Sequence, residues 1–283
     1  MLKFLKNWTL PLAMFAGAIG YFLLANVTIL EPAKPFVNWL IAVLTPFLIF
    51  AQLLLTFCKI EPKELLPKAW HVWLLSIQAV SSGIIALLLI FCPMEEAYRD
   101  IFEGAMVCLI CPTATAAAVI TGKLGGSAST LTTYTLLSNV LAAIAVPLVF
   151  PLVEPHADIT FVVAFLKILS KVFPLLLAPF FIALLFRYYI PSVHRLLSKY
   201  HGVAFYLWAV ALTIVTGQTV RSLVTAAADV SIEIMIALAG LATCCLQFYF
   251  GKRIGSAYHD RISAGQALGQ KNKIGRASCR ERV

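Results

Sequence analysis

The stretch Cys111-Pro112-Thr113-Ala114-Thr115 carries groups that an uninterrupted membrane helix does not use. Pro112 has no N–H, and its ring clashes with the carbonyl four residues back, at Cys108, so a helix entering here must stop or kink. The hydroxyls of Thr113 and Thr115 can then bond freed carbonyls, an ion or a polar solute. Ala114 and Ala116 to Ala118 are small enough to let another backbone come close. Unpaired backbone in hydrocarbon is costly, so such a break persists only against protein or a water-filled cavity. Secondary transporters place their substrate and ion sites at breaks of this kind. The plainer alternative is a proline kink in an ordinary packed helix.

Further polar groups gather after it. Ser127, Ser129, Thr130, Thr132, Thr133, Thr135, Ser138 and Asn139 enrich the next apolar stretch. Thr132, Thr135 and Asn139 recur at helical spacing and so share a face. Turned toward Thr113 and Thr115 they would line a polar cavity; interhelical hydrogen bonding is their other use. Near the C-terminus, Ser263 to Asn272 is again small and polar where an apolar helix is expected, and it includes Gln266 and Lys271. Cys108 and Cys111 lie one turn apart, which permits a soft-ligand site, yet cysteine packs as a small apolar residue and no paired C-x-x-C spacing exists. No resident metal is expected. His71, His156, His194, His201 and His259 form no metalloprotease or Ser/His/Asp pattern, and no glycine-rich phosphate loop is present. Neither an enzyme nor a cofactor is expected.

The elements that must position these residues are membrane spans. Of 283 residues, 61% are hydrophobic and only 12% charged, and mean hydropathy is +0.90; a soluble domain is roughly a quarter charged. The chain reads as an all-α polytopic membrane protein. Apolar stretches fall near 8–30, 36–58, 69–92, 101–121, 127–153, 159–186, 202–220 and 231–250, and a ninth begins at Ile262. Short connections carry most of the charge, including those at 187–199 and 251–261, and Gly122 to Gly126 reads as a tight turn.

The net charge of +9 follows topology and implies no nucleic acid. Lys3, Lys6, Lys59, Lys63, Lys68, Lys123, Arg187, Arg195, Lys199, Lys252, Arg253 and Arg261 fall on one side, with Lys34, Arg99 and Arg221 opposite. The positive-inside bias places the N-terminus in the cytoplasm, and the expected location is a bacterial-type inner membrane. Tryptophans and tyrosines near span ends suit interfacial belts. Spans one to five form a unit whose fourth member is broken. Restarting at span six makes the ninth its counterpart, and the odd number of spans per unit inverts the second repeat. One transmembrane domain is thus expected over 1–273, with repeats near 1–153 and 159–273. Ile274 to Val283 reads as translated sequencing adapter, so the natural chain is expected to continue past Asn272 into the rest of span nine and a tenth.

Cys111-Pro112, Thr115-Ala116 and Thr121, leading into Thr135, Ser138 and Pro147, resemble the bile acid:sodium symporter family, as does Gly269 to Asn272. The resemblance implies ten helices. Spans one, two, six and seven would form a panel, and three to five with eight to ten a core in which the broken helices cross. It also implies uptake of bile acids or other organic anions with sodium. Among its sodium ligands, Gln78, Thr135 and Asn272 match by position. Ala117-Ala118 stand where a Ser-Asn pair is usual, Leu131 where a second hydroxyl is, Ala267 for a glutamate and Lys271 for a glutamine. Methyl groups offer a hard cation no oxygen.

Lys271 suggests a different account. An ammonium at membrane depth faces a cavity or a partner, and here it would attract an anionic solute directly. The expected function is secondary transport of a bile-acid-like or other carboxylate or sulfonate anion by alternating access. Its residues would be Thr113, Thr115, Thr132, Asn139, Gln266 and Lys271 for substrate, and Gln78, Thr135 and Asn272 for ion. Sodium coupling is possible with its ligands partly missing; uniport, exchange and proton coupling stay open. Partners are the small anion and membrane lipids. The alternatives are an arsenite-efflux carrier of the same superfamily, which Cys111 permits, and a receptor or scaffold that moves no solute.

Overall fold

The computed structural model describes residues 8–59, 65–114, 116–154, 159–200, 203–225 and 230–271. These form helices α1 (Thr9–Asn26), α2 (Lys34–Lys59), α3 (Ala69–Phe91), α4 (Glu96–Ile110), α5 (Ala117–Lys123), α6 (Ala128–Val153), α7 (Phe161–Tyr189), α8 (Pro191–Lys199), α9 (Val203–Thr225), α10 (Val230–Ala257) and α11 (Arg261–Gly269), with a 3₁₀ turn at Thr28–Ala33. Among them α2, α3, α6, α7, α9 and α10 are long and apolar enough to cross a membrane. Phe15, Phe47, Leu87, Phe181 and Leu241 all lie exposed, which hydrocarbon permits and water does not. The chain is an all-α polytopic membrane protein.

Packing divides the helices into two groups. In the first, α9 lies along α1 and α2, and α2 along α7. A Cβ on Gly17 of α1 would meet the Thr213 carbonyl at 2.3 Å, so α1 and α9 touch backbone to backbone. In the second, α3 packs on α4 and α6, and α10 on α4 and α11. Trp70 and Leu74 of α3, Ala117 of α5, Leu131 and Tyr134 of α6, and Ala264, Ala267 and Leu268 of α11 form its apolar centre. The groups meet where Ala142 and Ala143 of α6 enter a cluster with Ile49, Leu53, Leu176 and Leu177. The four-helix and core memberships match those that the family resemblance implied for the described helices.

Several boundaries differ from the sequence expectation: α4 already begins at Glu96 and α9 runs on to Thr225, and three further differences bear on packing. Helix α1 stops at Asn26, because Val27 is extended (φ −92°, ψ 105°), and the 3₁₀ turn at Thr28–Ala33 occupies the rest of the first apolar stretch. The expected connection at 187–199 contains α8, which starts with Pro191 in its first turn, where a proline's fixed φ suits a helix. His194 on α8 borders a crevice with Phe57, Phe180 and Arg187, and burial, aided by the Arg187 charge, holds it below the usual imidazole range. Finally, α10 runs through Gly251 to Ala257, where a loop was expected. Gly251 serves close contact: a Cβ there would lie 2.6 Å from the Ala264 carbonyl.

Candidate functional site

Helix α4 ends at Ile110, and Cys111 leaves helical geometry at φ −55°, ψ 142°. Pro112 cannot supply the donor that Cys108 would accept from, and the carbonyls opened by the break find other partners. Gln247 Nε2 of α10 donates to the Cys108 carbonyl at 3.5 Å. Gln78 Nε2 of α3 donates to those of Ile110 at 3.0 Å and Cys111 at 3.3 Å. The chain resumes as α5, where the Ala117 N–H closes on the Ala114 carbonyl at 2.9 Å.

Helix α11 stops at Gly269, one residue before Gln270, and there it meets the first break. Thr113 and Lys271 pair as an antiparallel bridge. The Ala114 N–H donates to the Gln270 carbonyl at 2.8 Å, and Thr113 Oγ1 donates to the Ala267 carbonyl at 2.7 Å. Two backbones running in opposite directions therefore satisfy each other's opened groups inside the bundle. This is how non-helical backbone survives at membrane depth.

A side-chain hub lies against the crossing. Gln78 Oε1 accepts from Lys271 Nζ at 2.7 Å, from Tyr134 OH at 3.1 Å and from Ser138 Oγ at 3.1 Å. The ammonium also sits 6.0 Å from the Tyr134 ring centroid, within cation–π range. Gln78 is 1% and Lys271 8% exposed. Nearby α10 and α11 approach closely: Cys244 Sγ donates to the Gly269 carbonyl at 3.7 Å.

Both ends of the group holding the crossing are pinned. At one end Arg99 donates to Glu103 at 3.1 Å, to the Leu89 carbonyl at 3.4 Å and to the Val153 carbonyl, so one guanidinium closes the ends of α3 and α6. At the other, Lys68 Nζ donates to Asp260 Oδ2 at 3.0 Å and Thr130 Oγ1 to the same oxygen at 3.4 Å. The Ser127 N–H donates to Ser263 Oγ at 2.9 Å.

Of the residues that the sequence proposes, Thr113, Gln78 and Lys271 meet at the crossing. Thr115 and Asn272 lie outside the described residues. Thr132, Thr135 and Asn139 do share a face, but it is the face that continues into Ala142 and Ala143, toward α2 and α7. Thr132 Oγ1 and Thr135 Oγ1 donate to carbonyls of their own helix, Ala128 at 2.8 Å and Leu131 at 3.0 Å. The neighbouring face, with Tyr134 and Ser138, is the one that reaches Gln78. Asn139 Nδ2 and Gln266 Oε1 are buried with no hydrogen-bond partner among the described residues. The sequence pattern does not single out Tyr134 or Gln247; the spacing of Tyr134 and Ser138, one helical turn apart, is the available signal. Cys108 and Cys111 belong to no metal-sized group, since among the described residues no three His, Cys, Asp or Glu side chains gather closely enough to hold an ion.

The profile of the Sodium Bile acid symporter family matches residues 3–226. The chain belongs to this family. The match runs through α1 to α9 and so includes the Pro112 break, Gln78, Tyr134 and Ser138, while α11 and Lys271 lie beyond it. No curated protein matches the sequence. Family members are transporters, and a small solute and a lipid environment follow for this symporter-family protein. The symporter family's name raises the question of sodium. Gln78 is engaged at both ends of its carboxamide, and Ala117, Ala118, Leu131 and Ala267 bring no side-chain oxygen to the crossing. The described residues do not fit a bound sodium ion.

Proposed function

We propose that this chain is a secondary transporter of an organic anion, a bile-acid-like solute or another carboxylate or sulfonate, working by alternating access. The observation that carries the reading is the antiparallel pairing of Thr113 with Lys271, two helix breaks crossing within a pinned core. Lys271 directs one of its three donors to Gln78, and an anionic head group is the natural acceptor for the others. Asn139 Nδ2 and Gln266 Oε1, buried without protein partners among the described residues, add a donor and an acceptor for the rest of the solute. The core of α3 to α6, α10 and α11 would move as one body against α1, α2, α7 and α9, across the joint at Ala142 and Ala143. The lysine and arginine bias supports a cytoplasmic N-terminus, and a bacterial inner membrane is the setting proposed with it.

Counterflow tests this. Vesicles containing the protein are preloaded with unlabelled taurocholate, a sulfonate, or glycocholate, a carboxylate, and labelled compound is added outside. Saturable accelerated entry is expected for at least one anion of this class. Binding without counterflow across a broad panel of carboxylates and sulfonates would leave the chain a receptor.

A further inference from the structure

We propose that the ammonium of Lys271 is a built-in replacement for the coupling cation, so that this member of a sodium symporter family works without sodium. The inference rests on the transporter reading for its consequence, and on the geometry of the crossing for its substance. A hard cation is held by several oxygens with lone pairs to offer. Here the hub oxygen, Gln78 Oε1, already accepts three donors, from Lys271, Tyr134 and Ser138. The Ile110 and Cys111 carbonyls are taken by Gln78 Nε2, and the Ala267 carbonyl by Thr113 Oγ1. The carboxylates that close the two ends of the core are held by fixed cations, Glu103 by Arg99 and Asp260 by Lys68.

What remains at the crossing is one positive charge on a side chain, 2.7 Å from the oxygen that a free ion would seek. A sodium ion arriving there would have to displace the ammonium and would be repelled by it. The covalent charge does the electrostatic work of the ion: it closes two oppositely running breaks around Gln78 and leaves a net positive site for a monovalent oxyanion. Because this charge travels with the protein, no sodium gradient is consumed when the solute moves. Lys271 is thereby a specificity-determining residue for the ion.

The test is thermal unfolding of the detergent-purified protein in sodium chloride and in choline chloride at equal concentration, with ²²Na⁺ binding in parallel. The wild type is expected to unfold at the same temperature in both salts and to bind no sodium saturably. Lys271→Gln, which exchanges the ammonium for a carboxamide oxygen and frees Gln78 Oε1, is expected to gain a sodium-specific rise of several degrees, whereas Lys271→Arg stays sodium-blind. A sodium-specific rise or saturable ²²Na⁺ binding in the wild type overturns the proposal. So does a folded Lys271→Gln that remains indifferent to sodium. A sodium-blind wild type that shows no counterflow of any anion sinks the transport reading and leaves the assignment of Lys271 standing.

Discussion

Gln78 is where a single side chain carries the most. Its nitrogen closes two carbonyls of the first break, and its oxygen gathers a lysine, a tyrosine and a serine. Removing one partner of a buried hydrogen bond leaves the other unsatisfied, at about 1–3 kcal/mol for each neutral group and more for a charged one. Gln78→Leu keeps the volume but strands five groups at once. Some will find each other; even so, a loss of about 3 kcal/mol or more is expected, seen as a fall of several degrees in unfolding temperature and as loss of counterflow. An unaltered unfolding temperature would mean that the hub contributes nothing to the fold.

At the scale of elements, the same residue type ends one helix and leaves others intact. Pro46 in α2, Pro147 and Pro151 in α6, and Pro174 and Pro179 in α7 all sit inside continuous helices, while Pro112 terminates α4. The difference lies in the surroundings. Around Pro112, Gln247, Gln78 and a second open backbone supply partners that make leaving the helix inexpensive. Glycines divide in the same way. Gly20 has open space where a Cβ would go, whereas a Cβ on Gly251 would press on the Ala264 carbonyl at 2.6 Å. Gly251→Leu is expected to force α11 away from α10, at about 1–3 kcal/mol of overpacking, and to abolish transport. Gly20→Leu should leave both unfolding temperature and counterflow near wild type. Equal behaviour of the two variants would remove close α10–α11 contact as a requirement.

For the whole molecule, the pins at Arg99 and at Asp260 bind the core helices to one another at both ends, but the joint to α2 and α7 is apolar and made largely of small and aliphatic side chains. Apolar contacts are non-directional, so bodies joined through them can slide. In a background with its other cysteines replaced, Leu53→Cys with Ala143→Cys, bridged by a short bifunctional maleimide, should stop counterflow while single-cysteine variants treated alike continue. Continued counterflow in the bridged protein would exclude movement at this joint.

Much of the architecture was legible in the residues themselves. Spans follow from apolar length, because a bilayer rewards little else, and the breaks at Pro112 and near Gly269 follow from missing donors and from small polar residues where an apolar helix should run. Tertiary structure decided what sequence patterns do not encode. Thr132, Thr135 and Asn139 share a face by periodicity, but the rotation of α6 turns Tyr134 and Ser138 to Gln78. The charged segment from Gly251 reads as a connection between spans and proved to be the end of α10, with its glycines packed against α11. Periodicity ranks the residues around one helix; only packing between helices selects which face meets which, and so brought Lys271 to Gln78 across 193 residues of chain.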